Sequence, residues 1–172
     1  LPPSPAAFAK ATWGDVAPYF DDLAARPLEP GVIAEWLREW SRLEELVTEA
    51  AARAMIAYTV DTGNQEKEAD HLRFSTEVLP RMEERSVELA RRLLESGYST
   101  PALSTTLARF RTQIEIFRDE NVPLFAELEE HSTRYQRITG SMTAEWEGDL
   151  MSGKGKTSAG SGTFTSGARL TV

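Results

Sequence analysis

The sequence contains no cysteine, only two histidines and no long hydrophobic run. The missing cysteine excludes disulfides, thiolate zinc sites and cysteine nucleophiles, and it fits a reducing compartment, so we expect a cytoplasmic protein. The longest uncharged apolar stretch, residues 54–60, is far too short to span a bilayer. The N-terminal residues also lack the basic and apolar regions of a signal peptide.

Positive charge is scarce, because 19 Lys and Arg stand against 27 Asp and Glu. The formal net charge of −8 argues against nucleic acid or an anionic membrane as a partner. All the acidic residues lie within residues 1–149, and the remainder is rich in Gly, Ser and Thr. We therefore predict an N-terminal extension (1–11), a helical domain (12–149) and a flexible tail (150–172).

Apolar residues recur at helical spacing through most of the chain, which predicts an all-α fold, an antiparallel helical bundle. Two long helices are expected at about 32–62 and 66–96, and shorter ones at about 13–25, 102–118 and 124–138. The 102–118 helix should bury its apolar stripe of Leu103, Leu107, Phe110, Ile114 and Phe117. Trp36 and Trp40 lie one turn apart and are expected in the core rather than as a ligand platform.

Several residues predict how these helices begin, bend and end. Thr12 is a good N-cap, and Pro18 fits the first helix only in its first turn or as a break. Pro80 should kink the second long helix without ending it. Gly63 and Gly97 should cap the two long helices, and a break is expected at 121–123.

Residues 142–148 alternate in polarity and predict a short strand. A lone strand cannot satisfy its edges, so its partner is expected outside the chain or in the tail, where 162–165 is a weak candidate.

The two histidines do not form a metal motif. The H-E-x-x-H zinc motif is absent, and a di-iron bundle would need two Glu-x-x-His pairs. Glu68 and His71 supply one pair, but Leu128 stands three residues before His131. We expect both histidines to be solvated among exposed charges, and we assign no catalytic, cofactor-binding or metal residue.

Residues 148–157 partly match a phosphate-binding loop. Gly148, Gly153 and Lys154 fit G-x4-G-K, but Gly155 stands where a Ser or Thr should bind magnesium. No helix is expected after it, since the following residues are mostly Gly and Ser. Nucleotide binding by this segment is therefore a remote alternative.

Several segments in order resemble an oligoendopeptidase F-type protein of the thimet-oligopeptidase-like zinc metallopeptidases. The matching segments are 13–23 (WGDVAPYFDDL), 56–62 (IAYTVDT), 110–118 (FRTQIEIFR), 121–124 (NVPL), 135–140 (YQRITG) and 142–148 (MTAEWEG).

The resemblance implies that this is the N-terminal helical part of such a peptidase, one wall of a channel that admits unfolded oligopeptides. In that family the zinc and its ligands belong to a C-terminal catalytic portion, so no cofactor is expected on this chain. The pattern stops after Gly148, where truncation, a frameshift or a cloning scar would each explain the change. Oligopeptides or a missing catalytic lobe are the expected partners.

The alternative is a stand-alone helical bundle that binds a protein or peptide. A lobe separated from a larger enzyme would expose the apolar face that normally contacts the rest of that enzyme, so self-association is also expected.

Overall fold

A computed structural model of the chain describes residues 1–118, 120–147, 154–159 and 162–166. Most of these residues are helical, which confirms the predicted all-α fold. The α-helices in this part of the chain are α1 (Trp13–Ala25), α2 (Ile33–Val60), α3 (Gln65–Leu72), α4 (Leu79–Glu95), α5 (Ser104–Ile116) and α6 (Asn121–Gly140).

The start of α1 matches its prediction, but its interior does not. The backbone N–H of Thr12 donates to Asp15 Oδ2 at 2.9 Å, and the Thr12 side chain completes a capping box. Pro18 lies inside α1, neither in its first turn nor at a break, so that expectation was wrong. The helix tolerates the one lost hydrogen bond because its apolar face, including Val16 and Phe20, is fully packed against the core.

Helix α2 runs through the predicted range and supplies the centre of the core. Trp36 and Trp40 are both buried, as predicted. The predicted glycine cap was wrong, because Gly63 does not adopt a left-handed conformation. Instead, α2 ends in a tight turn in which the Asp61 N–H donates to the carbonyl of Tyr58 at 3.0 Å.

The second long helix is continuous from α3 to α4 but changes its hydrogen bonding in the middle. A π-helical segment, Arg73–Val78, connects α3 to α4. It ends just before Pro80, whose missing N–H was predicted to disturb the helix here. Gly97 follows α4 with φ of 69°, so its predicted cap is confirmed.

The bounds of the last two helices differ from their predictions. A 3₁₀ turn, Pro101–Leu103, leads into α5, and of the predicted stripe only Leu107 is fully buried. The predicted break at 121–123 was wrong, because α6 begins at Asn121. Pro123 is the third residue of α6, a position where its missing N–H costs no bond within the helix.

A small antiparallel sheet follows α6. Its strands β1 (Thr143–Glu147), β2 (Lys154–Ala159) and β3 (Gly162–Ser166) pair in the order β1-β2-β3. The strand predicted at 142–148 is confirmed; its direct partner is β2, and the candidate 162–165 lies in β3. The segment expected to be a flexible tail therefore contains two strands, because pairing satisfies the backbone groups of β1. The domain limits stay a prediction.

The hydrophobic core is built mainly from α1, α2, the π-helical segment and α4. Its fully buried large side chains include Phe20, Leu23, Ile33, Leu43, Leu46, Phe74, Leu89 and Leu93. Helix α6 contributes none of them, since its buried residue is Thr133. The helix thus lies on the surface of an already complete core.

Candidate functional site

The outer face of α6 carries an apolar row that the core does not use. Leu124, Leu128, Tyr135 and Ile138 are each between 49% and 68% exposed. Their spacing of four, seven and three residues places them on one side of the helix, with His131 between them. We call this row the α6 stripe. A stripe of this kind normally faces a partner, because an amphipathic helix buries its apolar side.

Two cavities adjoin the stripe and share Phe125 in their lining. One, of about 240 Å³, lies where the end of α5 meets the starts of α4 and α6, and it includes Ile116 and Phe117. The other, of about 440 Å³, lies between α2, the π-helical segment and α6, and it includes Met55 and Phe74. We call the two cavities together with Phe125 the α6 groove. Groove and stripe form one apolar surface along α6.

His71 lies at the floor of this groove and corrects the sequence prediction. It was expected to be solvated, but it is 5% exposed. Its ring stacks on Tyr58 with the ring centres 5.2 Å apart, and its Nε2 lies 3.2 Å from Glu129 Oε1. His131 is exposed beside Glu127, as expected. The first histidine is therefore part of the packing between α2, α3 and α6.

A second polar contact fixes α6 at the same place. The Tyr58 hydroxyl is fully buried and donates to the Thr133 carbonyl at 2.9 Å. Burial, with the nearby Glu68 carboxylate adding to it, raises the pKa of this hydroxyl, so it remains the donor at neutral pH. Glu68 in turn accepts from Arg137 at 3.3 Å. Helix α6 is thus held largely by polar contacts.

Within residues 1–118, 120–147, 154–159 and 162–166, no group of three or more His, Cys, Asp or Glu could hold a metal ion. The same residues include no helix that is long and apolar enough to cross a membrane.

Nucleotide binding by residues 148–157, the remote alternative, would require a loop that leads into a helix. The glycines of that motif at 148 and 153 lie outside the described residues. Strand β2 begins at Lys154, where a phosphate-binding loop would pass into a helix.

The fold and surface define a class of protein: a helical lobe with a complete core and an apolar outer face on its last helix. The family model described as the peptidase M3 N-terminal domain matches residues 11–109, more than half of the 172 residues. The chain belongs to this family, which confirms the predicted resemblance to the N-terminal region of such a peptidase.

Comparison with curated proteins and with solved structures found no match. The matched range ends within α5, so it includes the π-helical segment and His71 but not α6. Periodicity in the sequence identifies the four residues of the stripe as the apolar positions of this helix, but it does not indicate that they are exposed. The signal in the sequence was the absence of a second apolar row on α6 to face the core.

Proposed function

We propose that this chain is the N-terminal channel-wall lobe of an oligopeptide-cleaving zinc metalloendopeptidase and is catalytically incomplete by itself. The family match supports the enzyme class. The zinc of such an enzyme does not fit the residues described here, because the two histidines are not brought together. His71 is buried against Tyr58, whereas His131 is exposed on α6. The metal and its ligands would belong to a catalytic portion.

The observation that carries the proposal is the α6 stripe beside the α6 groove. Large apolar side chains exposed in a row can contact the side chains of an unfolded peptide without demanding one sequence. The acidic residues on the flanks of α6, such as Glu127 and Glu130, keep such a surface in solution. This arrangement suits a channel wall that guides varied oligopeptides.

Peptide binding is tested with the purified chain and a fluorescently labelled, unstructured decapeptide rich in Leu and Phe, followed by anisotropy. We expect binding that Leu128→Ser weakens, because Leu128 lies in the stripe and lines the groove. Val32→Ser is the matched control, since Val32 is 46% exposed and precedes α2, away from α6. Equal effects of the two substitutions, or no binding by the wild type, would overturn the role of the stripe.

Catalytic incompleteness is tested separately with quenched oligopeptides and added zinc. We expect no turnover from the pure chain. Turnover that a chelator removes would contradict the proposal, because it would require a metal site that the described residues do not form.

A stand-alone binding module is the second candidate, and strand β1 favours it. Among the described strands, β1 lies at the edge of the sheet and has β2 on one side only, so its other edge offers unpaired backbone groups to a partner. A stable, monodisperse chain in sedimentation velocity would favour this module. Concentration-dependent association would favour a lobe whose apolar surface normally meets another part of an enzyme. For either candidate we infer a cytoplasmic location, which cell fractionation would test.

A further inference from the structure

A second cleft lies away from α6, between the first half of α2 and the start of α5. Its volume is about 580 Å³, within the range usual for small-molecule sites. The lining combines an apolar and aromatic wall with charged groups of both signs: Leu37, Trp40, Phe110, Glu44, Arg38 and Arg109. We call it the α2–α5 cleft. The proposed channel-wall function makes no use of it.

The wall of the α2–α5 cleft is a stacked aromatic pair. The rings of Trp40 and Phe110 lie with their centres 5.0 Å apart and 22° between their planes. Trp40 is 3% exposed, so its ring is held rigidly, whereas Phe110 is half-buried and also lines the cleft. A rigid aromatic surface beside a cavity is suited to an apolar side chain of a ligand.

Glu44 lies against this wall with only one of its oxygens in use. Its Oε1 accepts from the Trp40 indole N–H at 2.8 Å and also from the Ser86 hydroxyl. Within the described part of the chain, Oε2 accepts no hydrogen bond and Glu44 forms no ion pair. Burial raises the pKa of this carboxyl, and the neighbouring Glu83 adds to the effect. The charged form would therefore gain from a cation placed at Oε2.

Arg109 brings the opposite charge to the same cleft. It is exposed at the opening, and its field lowers the pKa of Glu44, against the larger effect of burial. Among the residues described, Arg109 has no ion-pair or hydrogen-bond partner, whereas Arg38 is paired with Glu35. The cleft thus offers one carboxylate and one guanidinium, each without a direct ionic contact among the described residues, beside an aromatic surface.

We propose that the α2–α5 cleft binds a short zwitterionic peptide, of two or three residues, with its ammonium group at Glu44 and its carboxylate at Arg109. An apolar side chain of the peptide rests on Trp40 and Phe110. Both ionic contacts are charge-assisted hydrogen bonds, and the guanidinium matches the planar geometry of a carboxylate. This binding goes beyond the channel-wall role and would hold even if that role were wrong.

The test uses the full chain, ¹⁵N-labelled, with leucyl-phenylalanine as the probe and NMR as the measurement. We expect the Trp40 indole N–H resonance to shift on titration, because this group lies beside the proposed ammonium position. N-acetylated leucyl-phenylalanine and its C-terminal amide should each bind about tenfold more weakly or worse, because each lacks one charge. No shift at about 10 mM peptide, or equal binding of all three probes, would overturn the proposal.

Variants assign the two ends of the peptide. Glu44→Gln should remove the preference for a free ammonium, and Arg109→Gln should remove the preference for a free carboxylate. The matched controls are Glu45→Gln and Arg111→Gln, exposed neighbours that do not line the cleft. Controls that weaken binding as much as the cleft variants would refute the assignment.

If Glu44→Gln failed to fold, Arg109→Gln would still decide the question, because Arg109 is exposed and supports no core contact. Unchanged discrimination between the peptide and its amide in that variant would overturn the proposal.

Discussion

Replacing Tyr58 with Phe isolates the hydrogen bond that joins α2 to α6. The hydroxyl of Tyr58 is fully buried and donates to the Thr133 carbonyl at 2.9 Å. The ring also stacks on His71. Phenylalanine keeps the ring and its stacking and removes only the donor, so the substitution leaves no large cavity. Any effect should therefore report on that one bond.

The size of the effect follows from how little else holds α6. Thr133 is the buried residue of this helix, and the large apolar residues of the α6 stripe face away from the core. A neutral buried hydrogen bond contributes about 1 kcal/mol net. Losing it should raise the population of states with α6 detached about fivefold, since 1.4 kcal/mol corresponds to a factor of ten. The melting temperature should fall by about 3 °C if α6 unfolds together with the core.

Amide hydrogen exchange is the assay, because it reads each helix separately. We expect the amides of α6 to exchange about fivefold faster in Tyr58→Phe, while those of α1 and α4 keep their protection. Tyr135→Phe is the matched control, because it removes the same hydroxyl group from a tyrosine of α6 that is 68% exposed. Unchanged exchange in α6, or equal acceleration in α1 and α4, would refute the reasoning that polar contacts hold α6 to a finished core.

Three further predictions test the packing of the core, the close contact between Gly140 and Thr62, and the titration of Glu44. Leu46→Ala should cost about 3 kcal/mol in urea unfolding because Leu46 is fully buried, whereas Leu128→Ala should change stability by less than about 0.5 kcal/mol. Gly140→Ala should lower the melting temperature, because its Cβ would overlap the Thr62 hydroxyl, and adding Thr62→Ala should restore most of the loss. Glu44→Gln should stabilise the fold at pH 7 and lose that advantage towards pH 4 in urea titrations, because burial raises the folded-state pKa of Glu44. The penalty for the ionised carboxylate builds up as the pH rises from the unfolded-state pKa to the raised folded-state pKa and is absent below both, so an advantage that grew at low pH would contradict the prediction.

The fold was largely predictable because its signals are local. Helix α2 repeats apolar residues through Trp36, Trp40 and Leu43 at helical spacing, and all three are buried. The cap at Thr12 and the left-handed Gly97 are also local features, and both were found where predicted. Family membership was predictable because several short segments occur in the right order along the chain.

The surfaces were not predictable in the same way, because they depend on contacts between distant residues. The burial of His71 requires Tyr58 from α2 and Glu129 from α6, which no periodicity within α3 can indicate. The cleft at Glu44 likewise depends on Ser86 and Phe110, which come from two other helices. Charged residues in a helix are predicted to be solvated unless the residues that cover them in the fold are known.

Two features of this lobe do not serve its own stability, and that is the strongest argument for binding. The core closes without α6, yet α6 presents five large apolar residues to solvent, where they gain little from folding. Glu44 keeps an ionisable carboxylate where burial disfavours its charge, although a glutamine could accept the same two hydrogen bonds. Features that cost stability, or add none, are expected where a surface is used. The two lie on different faces, one apolar and extended and the other small and charged, so their partners should differ: a long unfolded peptide or a neighbouring lobe along α6, and a short charged peptide at Glu44.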